Sequence, residues 1–112
     1  MDTITKYEQI LIATLETYAS IKKSLTPSIK AQTMIDKEGG HYQLLSIGWH
    51  NDRFVYVVAL HFDMINGKVW IQQNNTDVLI ADELVEKGIP KSDIILGFIP
   101  EKMRSYEGFA VA

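Results

Sequence analysis

The sequence predicts an α+β fold, in which an antiparallel meander of four or five strands has a long N-terminal helix and a second helix packed on one face. Three observations indicate this fold. From Asp2 to Leu25, apolar residues recur every three or four positions, which is the spacing of an amphipathic helix. Residues 29–74 then contain four runs of strand-like composition separated by turn residues. Helical spacing returns from Val78 to Gly88, so the four strands are expected to follow one another in one sheet.

The size and composition of the chain predict a single domain over residues 1–112. The 112 residues match one ordinary domain, and a composition of 46% hydrophobic and 22% charged residues is typical of a folded globular protein. No run approaches the roughly 18 apolar residues that cross a bilayer. The N-terminus, "MDTITKYEQI", is acidic and amphipathic and does not resemble a secretion signal. We therefore expect a cytoplasmic protein without a membrane-spanning segment.

Cysteine content and charge exclude several kinds of function. The chain has no cysteine, which excludes disulfides, thiolate metal sites and cysteine nucleophiles. Eleven Lys and Arg residues against fourteen Asp and Glu residues give a formal charge of -3, and the basic residues are scattered. A protein that binds duplex DNA by itself normally carries a basic face that replaces counterions on the phosphates. We expect no direct binding to nucleic acid.

The first helix is predicted from its apolar stripe and its end signals. Thr5 with Glu8 matches a capping box, although Asp2 or Thr3 would start the helix a turn earlier, and Pro27 stops it. Packing on the protein's own sheet is the preferred interpretation of the stripe, and a coiled-coil partner is the alternative. The stripe consists of Ile4, Tyr7, Leu11, Tyr18, Ile21 and Leu25, with Thr14 filling one position and Ile10 and Leu15 widening it.

The strand pairing follows from two tight turns. Asn66-Gly67 is the strongest hairpin signal, since a type I′ turn requires positive φ at both positions, and a second turn is expected at residues 51–52. Two-residue turns predict the pairs Trp49–Phe54, Ile47–Tyr56, Leu45–Val58, Met64–Val69, Phe62–Ile71 and Leu60–Gln73, nearly all of which should face the helices. The opposite face should then carry Tyr42, His61, Asp63, Trp70, Gln72 and Asn74 at one end, and Leu44, Ser46, Gly48, Val55, Val57 and Ala59 at the other.

The remaining segments complete the predicted fold. Residues 74–77 have short polar side chains of the kind that cap a helix, and the helix "VLIADELVEKG" should end at Gly88 in the left-handed C′ position. Ile89 should pack back onto Leu84. "KSDIILGF" predicts a last short strand. The apolar tail at 109–112 should dock on the body of the protein or on a partner.

His61 and Asp63 are the strongest candidates for chemistry. They lie two residues apart on one strand and hence on one face, with Trp70 and Gln72 as cross-strand neighbours. Such a pair can bind a divalent metal or act as an acid–base pair. A metal site generally needs three or four ligands, and the predicted register sends His41 to the opposite face. We therefore favour a hydrogen-bonded polar patch with no metal and no cofactor.

Other catalytic arrangements are not indicated. Neither a G-x-S-x-G turn nor an S-x-x-K arrangement occurs in the sequence. "KEGGH" lacks the spacing of the glycine-rich phosphate-binding fingerprints and should join two strands. No catalytic residue is predicted.

Several long phrases of the sequence resemble the XisI family, the fdxN-element excision controlling factors of heterocyst-forming cyanobacteria. These phrases are "HYQLLSIGW", "LHFDMINGKVWIQQNNTD", "IADELVEKGIPKSDIILGF" and "GFAVA", and the resemblance extends over essentially the whole chain. It implies a regulatory protein in a developmentally programmed DNA rearrangement. Such a protein acts with an XisH companion, which resembles restriction-endonuclease-like folds, while a separate site-specific recombinase cuts the DNA. The resemblance supplies no catalytic or ligand-binding residues.

The resemblance favours a non-catalytic adaptor, and two other classes of function stay open. One is a small metal-dependent hydrolase or nuclease that uses His61 and Asp63. The other is direct DNA binding, which the charge of -3 disfavours.

Partner-binding candidates follow from charge and aromatic content. Asp82, Glu83 and Glu86 form either a docking surface for a basic partner or a solvated helix face. Trp70, with Tyr42 nearby, is either an interface anchor or a ring covered by the C-terminal tail, and Gln72 belongs to the same polar surface. Val55 and Val57 are candidates for self-association as a homodimer or for partner binding.

Overall fold

The computed structural model describes residues 2–112, apart from the side chains of Ser24 and of residues 105–107, and confirms the α+β fold. Two 3₁₀ helices, Lys91–Asp93 and Glu101–Glu107, complete the structure. The main elements are α1 (Thr3–Leu25), β1 (Ile29–Asp36), β2 (His41–His50), β3 (Arg53–Ile65), β4 (Lys68–Asn74), α2 (Ile80–Glu86) and β5 (Ile94–Leu96). No helix among the described residues is long and apolar enough to span a membrane.

The five strands form one sheet in the order β1-β2-β3-β4-β5. The first four are an antiparallel meander, as predicted. β5 differs from the predicted antiparallel arrangement because it pairs parallel to β4, with Val69 opposite Ile94 and Ile71 opposite Leu96. The reason is the connection: α2 carries the chain back before β5 begins, as a parallel pairing requires.

α1 begins earlier than the capping box suggests. The Asp2 carboxylate accepts a hydrogen bond from the Thr5 backbone N–H at 2.7 Å, and this bond lowers the pKa of Asp2. Glu8 instead accepts a hydrogen bond from the Tyr42 hydroxyl at 2.8 Å, which joins α1 to β2. The middle of the predicted stripe is buried, whereas Ile4, Ile21 and Leu25 at its two ends are exposed. The middle turns of α1 therefore contribute to the core.

The β2–β3 hairpin contains one extra residue that the predicted pairing omits. Asn51 adopts a positive φ of 56° in the turn, and the predicted pairs Trp49–Phe54, Ile47–Tyr56 and Leu45–Val58 are confirmed. Beyond them, Leu44 pairs with Leu60, so Ala59 is the additional residue of a β-bulge.

The bulge reverses the predicted faces of this hairpin. Tyr42 and Leu44 are buried on the side of the helices, and Ser46 on the same side accepts a hydrogen bond from the Nζ of Lys22 on α1 at 2.7 Å. Gly48, Val55 and Val57 share this side through the confirmed register. Trp49, Phe54 and Tyr56 point the opposite way and are 60%, 54% and 64% exposed. The prediction that these three aromatic residues face the core is wrong. The extra residue at Ala59 interrupts the regular alternation of faces along β3, on which that prediction depends.

A second bulge lies between β3 and β4. Asn66 and Gly67 both have positive φ, as the type I′ turn requires, and the Met64–Val69 and Phe62–Ile71 pairs are confirmed. The predicted Leu60–Gln73 pair is wrong: His61 pairs with Gln73 and Leu60 with Asn74, which leaves Gln72 as the extra residue. Asn74 consequently belongs with the helix-facing residues and not with His61.

The polar run after β4 forms a loop of its own and does not cap α2. The Asn74 side chain accepts hydrogen bonds from the backbone N–H of Thr76 at 3.1 Å and from its hydroxyl at 2.6 Å, and donates to the Val78 carbonyl at 2.8 Å. α2 begins at Ile80 without a side-chain cap, two residues later than predicted. This difference arises because the short polar side chains bond to nearby loop groups instead of the helix N–H groups.

The end of α2 matches its prediction. Gly88 has φ of 115°, and the Ile89 N–H donates to the Leu84 carbonyl at 3.0 Å. Leu84 and Ile89 are fully buried in one core cluster with Leu11, Leu15, Leu44, Leu60, Phe62, Ile71, Ile80 and Ile94. Both helices therefore lie on the same face of the sheet.

The C-terminal tail docks on the body of the protein, which was one of the two predicted outcomes. The Ala110 N–H donates to the Ile94 carbonyl at 2.9 Å, and Ala110 forms a bridge with Ile95. The Nζ of Lys91 lies 5.1 Å from the centre of the Phe109 ring. The tail thus pairs along the outer edge of β5, and Phe109 packs against the main core.

Candidate functional site

Two histidines and one aspartate meet on the face of the sheet that points away from the helices, called here the open face. Asp63 on β3 pairs with His41, the first residue of β2, and His61 lies two residues before Asp63 on the same strand. The Nδ1 of His41 lies 2.7 Å from Asp63 Oδ1, and the Nε2 of His61 lies 2.8 Å from the same oxygen. One carboxylate oxygen therefore contacts both imidazoles. We call these three residues the His–Asp cluster.

The position of His41 corrects a prediction. An unbroken register between Leu45–Val58 and the start of β2 places Tyr42 opposite His61 and turns His41 away. The extra residue in β3 shifts this pairing by one, so that His41 faces Asp63 and Tyr42 turns inward. Tyr42 is only 1% exposed, so the prediction that it lies beside Trp70 as a surface anchor is wrong.

No local sequence signal locates this shift. Residues 57–60 read "VVAL", four apolar residues in succession, so alternation between polar and apolar positions cannot show which residue is the extra one. The polar ends of the strands do carry information, since His41 and Asp63 both border tight turns. β2 can pair with β3 in two registers that differ by one residue, and one of these registers places His41 beside Asp63.

Gln72 completes the surroundings of Asp63. Its Nε2 donates to Asp63 Oδ2 at 3.1 Å, so both carboxylate oxygens accept hydrogen bonds. The bulge in β4 frees Gln72 from regular pairing, and Gly97 makes room for its amide, because a Cβ at position 97 would collide with Gln72 Oε1. The predicted neighbourhood of His61, Asp63 and Gln72 is confirmed.

The cluster is electrostatically coupled. Burial of Asp63 raises its pKa, but the hydrogen bonds from His41, His61 and Gln72 together outweigh burial and hold the pKa below its ordinary value. The hydrogen bond to Asp63 and the charge of that carboxylate raise the pKa of His41, and Asp36 adds to the effect. Asp63 is therefore ionised at neutral pH.

The donor types in the cluster are those of transition-metal sites. Imidazole nitrogen and carboxylate oxygen both bind divalent first-row ions, and one ligand atom from each of the three residues lies within 4.8 Å of the others. The cluster is accessible, since the His41 side chain is 55% exposed.

The remaining predicted partner-binding residues lie in different environments. Asp82 and Glu86 are exposed on α2. Glu83 accepts a hydrogen bond from the Tyr18 hydroxyl at 2.9 Å and so holds α2 against α1. The guanidinium of Arg104 lies 5.1 Å from the centre of the Trp70 ring, so the C-terminal segment covers part of that ring and leaves the rest accessible.

Sequence reasoning missed one surface, which we call the aromatic patch and which consists of Trp49, Phe54 and Tyr56. All three side chains are more than half exposed on the open face, and the Trp49 and Phe54 rings lie 5.3 Å apart at an angle of 55°. Exposed aromatic groups of this kind are enriched at protein interfaces. The alternation of apolar residues along β2 and β3 predicts that these three side chains are buried. The bulge at Ala59 places them on the exposed face instead.

Comparisons with known proteins identify close relatives. The family model described as XisI protein matches residues 1–111. A XisI-like protein from Anabaena variabilis is 38% identical, with a TM-score of 0.89, and the match covers 97% of this chain and 99% of that one. The fdxN element excision controlling factor XisI from Anabaena variabilis is 32% identical, with a TM-score of 0.85, over 99% of this chain and 100% of that one. A search of curated proteins finds no match. The sequence match and the shared fold confirm the resemblance, and the chain belongs to the XisI family.

Proposed function

We propose that this protein is a non-catalytic regulatory adaptor that controls excision of a DNA element together with an XisH-like companion protein. In this role a separate site-specific recombinase cuts the DNA, as in the rearrangements of heterocyst development. The observation that supports the proposal most directly is the full-length similarity to the fdxN element excision controlling factor, at 32% identity and a TM-score of 0.85.

The hydrogen bonds of the His–Asp cluster fix the Asp63 carboxylate within the sheet. Both of its oxygens accept hydrogen bonds, from the two histidines and from Gln72. A polar cluster held in this way is compatible with the adaptor function.

The aromatic patch supports binding to a companion protein. Large aromatic side chains bury much area at low entropic cost and often dominate interface energies. Trp49, Phe54 and Tyr56 lie together at the end of the β2–β3 hairpin, where another protein can approach them. We assign the central contact with the companion to this patch.

The acidic face of α2 supplies a second feature for recognition. Asp82 and Glu86 are exposed, and the chain carries a formal charge of -3. These charges suit a basic DNA-binding cleft of a nuclease-like companion and would steer association by long-range attraction.

The first experiment is a pull-down of the tagged protein from a host lysate, with mass spectrometry and a light-scattering mass of the complex. We expect an XisH-like protein at a fixed stoichiometry. Recovery of this protein alone, as a monomer or a homodimer, would contradict the adaptor function.

Variants then test the surfaces. Trp49→Ala with Tyr56→Ala should weaken binding of the purified companion at least about tenfold, since aromatic anchors are commonly hot spots. Leu79→Ala is a matched control, because it removes an apolar side chain that is 74% exposed outside the patch. Asp82→Lys with Glu86→Lys should slow association and reduce its dependence on salt. Equal binding by the patch variant and the Leu79 control would exclude the patch.

One observation favours the rival function, a small metal-dependent hydrolase or nuclease. His41 supplies the third potential ligand that His61 and Asp63 lack in the predicted register. Cleavage of plasmid DNA in the presence of Zn²⁺ or Mn²⁺ that disappears in Asp63→Asn would establish this rival. Identical background cleavage by both proteins would exclude it.

A further inference from the structure

We propose that His41, His61 and Asp63 bind one divalent transition-metal ion of the zinc class. The inference goes beyond the adaptor function and does not depend on it, because an ion can stabilise or regulate a protein that has no catalytic activity.

The first support is the convergence of three donors on a rigid framework. His61 and Asp63 share a face because they are two residues apart on β3, and His41 joins them as the cross-strand partner of Asp63. Their ligand atoms lie within 4.8 Å of one another, close enough to approach a shared ion at the usual metal–ligand distances of about 2.0–2.2 Å after small rotations of the rings. Strands hold such residues more accurately than loops do.

The second support is the donor set, which selects the kind of ion. Two imidazole nitrogens and one carboxylate oxygen suit Zn²⁺, Co²⁺, Fe²⁺ or Ni²⁺, whereas Mg²⁺ and Ca²⁺ prefer oxygen ligands alone. Three protein ligands leave at least one coordination position for water. The His41 side chain is 55% exposed, so water can reach the site.

The third support is the hydrogen bond that orients the carboxylate. Metal-binding carboxylates are usually fixed by an outer hydrogen bond. Gln72 supplies one to the Oδ2 of Asp63 and leaves Oδ1 toward the two histidines. Close packing against Gly97 holds the Gln72 amide in place.

The fourth support is the charge at the site. Asp63 is 8% exposed, and within the described part of the chain its side-chain partners are His41, His61 and Gln72, with no lysine or arginine in contact. The three hydrogen bonds stabilise the ionised carboxylate, but they place no fixed positive charge beside it. A divalent ion would supply that charge.

Binding requires a defined movement of protons. Because an ionised carboxylate can only accept hydrogen bonds, the contact nitrogens of His41 and His61 must carry the hydrogens that are donated to Asp63 Oδ1 in the absence of metal. A neutral ring can move its proton to the other nitrogen and present a lone pair to the ion, and a protonated His41 must release one proton to solvent. Binding should therefore weaken as the pH falls.

The main test is a zinc titration of the full chain, purified without a polyhistidine tag and freed of metal with a chelator. Calorimetry should give one Zn²⁺ per chain, and Co²⁺ should produce visible d–d absorption bands. Mg²⁺ should not compete. His50→Ala is the matched control, because it removes an exposed histidine outside the cluster and leaves the same number of histidines as His41→Ala.

The variants separate ligands from neighbours. His41→Ala, His61→Ala and Asp63→Asn should each weaken binding by more than about 100-fold, and Gln72→Ala by roughly 10- to 100-fold, as loss of an outer hydrogen bond typically does. His50→Ala should bind like the unaltered protein. Zn²⁺ should also raise the Tm of the unaltered protein and of His50→Ala, but not that of His41→Ala.

The outcomes that overturn the proposal are equally definite. Absence of saturable Zn²⁺ binding by the unaltered protein leaves a hydrogen-bonded polar cluster and nothing more. Equal losses in His41→Ala and His50→Ala would place any binding elsewhere. Because His41 is half exposed, its alanine variant should fold, and circular dichroism confirms this before titration. None of these results bears on companion binding, so the two proposals fail separately.

Discussion

Individual tyrosine hydroxyls connect α1 to the rest of the molecule. Tyr7 donates a hydrogen bond to Asp93 after α2, and Tyr18 donates one to Glu83 on α2. Among the described residues, every buried side-chain nitrogen and oxygen has a hydrogen-bond partner. Burial, together with the hydrogen bond to Asp93 and the charge of that carboxylate, raises the pKa of Tyr7 to about 12. These contacts hold the helices in position as well as filling space.

Tyr7 makes stability depend on alkaline pH. An unfolded tyrosine ionises near a pKa of about 10, whereas Tyr7 in the folded protein ionises near 12. Its contribution to stability is fully present below pH about 10 and is lost as the pH rises through 12, because the unfolded state releases its proton first. Urea unfolding between pH 8 and 11 should therefore show a shallower decline for Tyr7→Phe than for the unaltered protein.

Tyr56→Phe is the control for the loss of one phenol, since Tyr56 is 64% exposed. If Tyr7→Phe and the unaltered protein decline in parallel, the Tyr7–Asp93 contact does not contribute in this way.

At the scale of elements, the sequence predicts the two helices and the strands of the sheet well. The spacing of apolar residues identifies these elements, and turn residues mark their ends. Asn66-Gly67, Pro27 and Gly88 do so through local backbone preferences, which the sequence shows directly. It does not predict the bulges, which place Ala59 and Gln72 outside regular pairing. A bulge depends on long-range packing of the sheet, and an apolar run conceals its position.

This distinction explains the mixed outcome at the candidate site. His61, Asp63 and Gln72 depend on local spacing and one hairpin, and the structure places them together. His41 and Tyr42 depend on the phase of β2 against β3, and both predictions were wrong. The aromatic patch was missed for the same reason.

The C-terminal cap of α2 gives a prediction at this scale. Gly88 has φ of 115°, a conformation that side chains with a Cβ rarely adopt. Gly88→Ala should reduce the free energy of unfolding by about 1–2 kcal/mol through backbone strain. Glu86→Ala, which alters an exposed residue two positions before Gly88, should change the free energy of unfolding by less than about 0.5 kcal/mol. Urea denaturation of both variants measures the difference. Equal unfolding free energies would show that the backbone at position 88 can accept an alanine without strain.

At the scale of the whole molecule, the two faces of the sheet differ. One face is covered by α1 and α2 and contains the main core. The open face carries both the His–Asp cluster and the aromatic patch, and Arg104 lies over the Trp70 ring near its β5 end. The metal proposal and the aromatic patch therefore concern the same side of the protein, whereas the acidic face of α2 lies on the other side.

Removal of residues 109–112 tests how much the tail contributes. The truncation removes the bridge at Ala110, the packing of the partly buried Phe109 ring against the core, and the Lys91–Phe109 contact. Full burial of a phenylalanine side chain is worth about 1.5–3 kcal/mol, so the loss of the partly buried Phe109 should lower the unfolding free energy by about 1–2 kcal/mol. Val111→Ser alters an exposed tail residue without removing the bridge at Ala110 and should have little effect. An unchanged stability of the truncated protein would show that the tail is only loosely attached.

The bulge at Ala59 also gives the β2–β3 hairpin a tolerance to changes in length. A chain that lacks one residue between 53 and 59 can lose the bulge and pair regularly, with the turn and the Leu44–Leu60 pair both kept. Positions between the deletion and Ala59 would shift by one, while the ends of the hairpin, including the His–Asp cluster, would keep their faces. When sequences of this family are aligned, a one-residue gap in this arm is therefore compatible with the same sheet and the same open face.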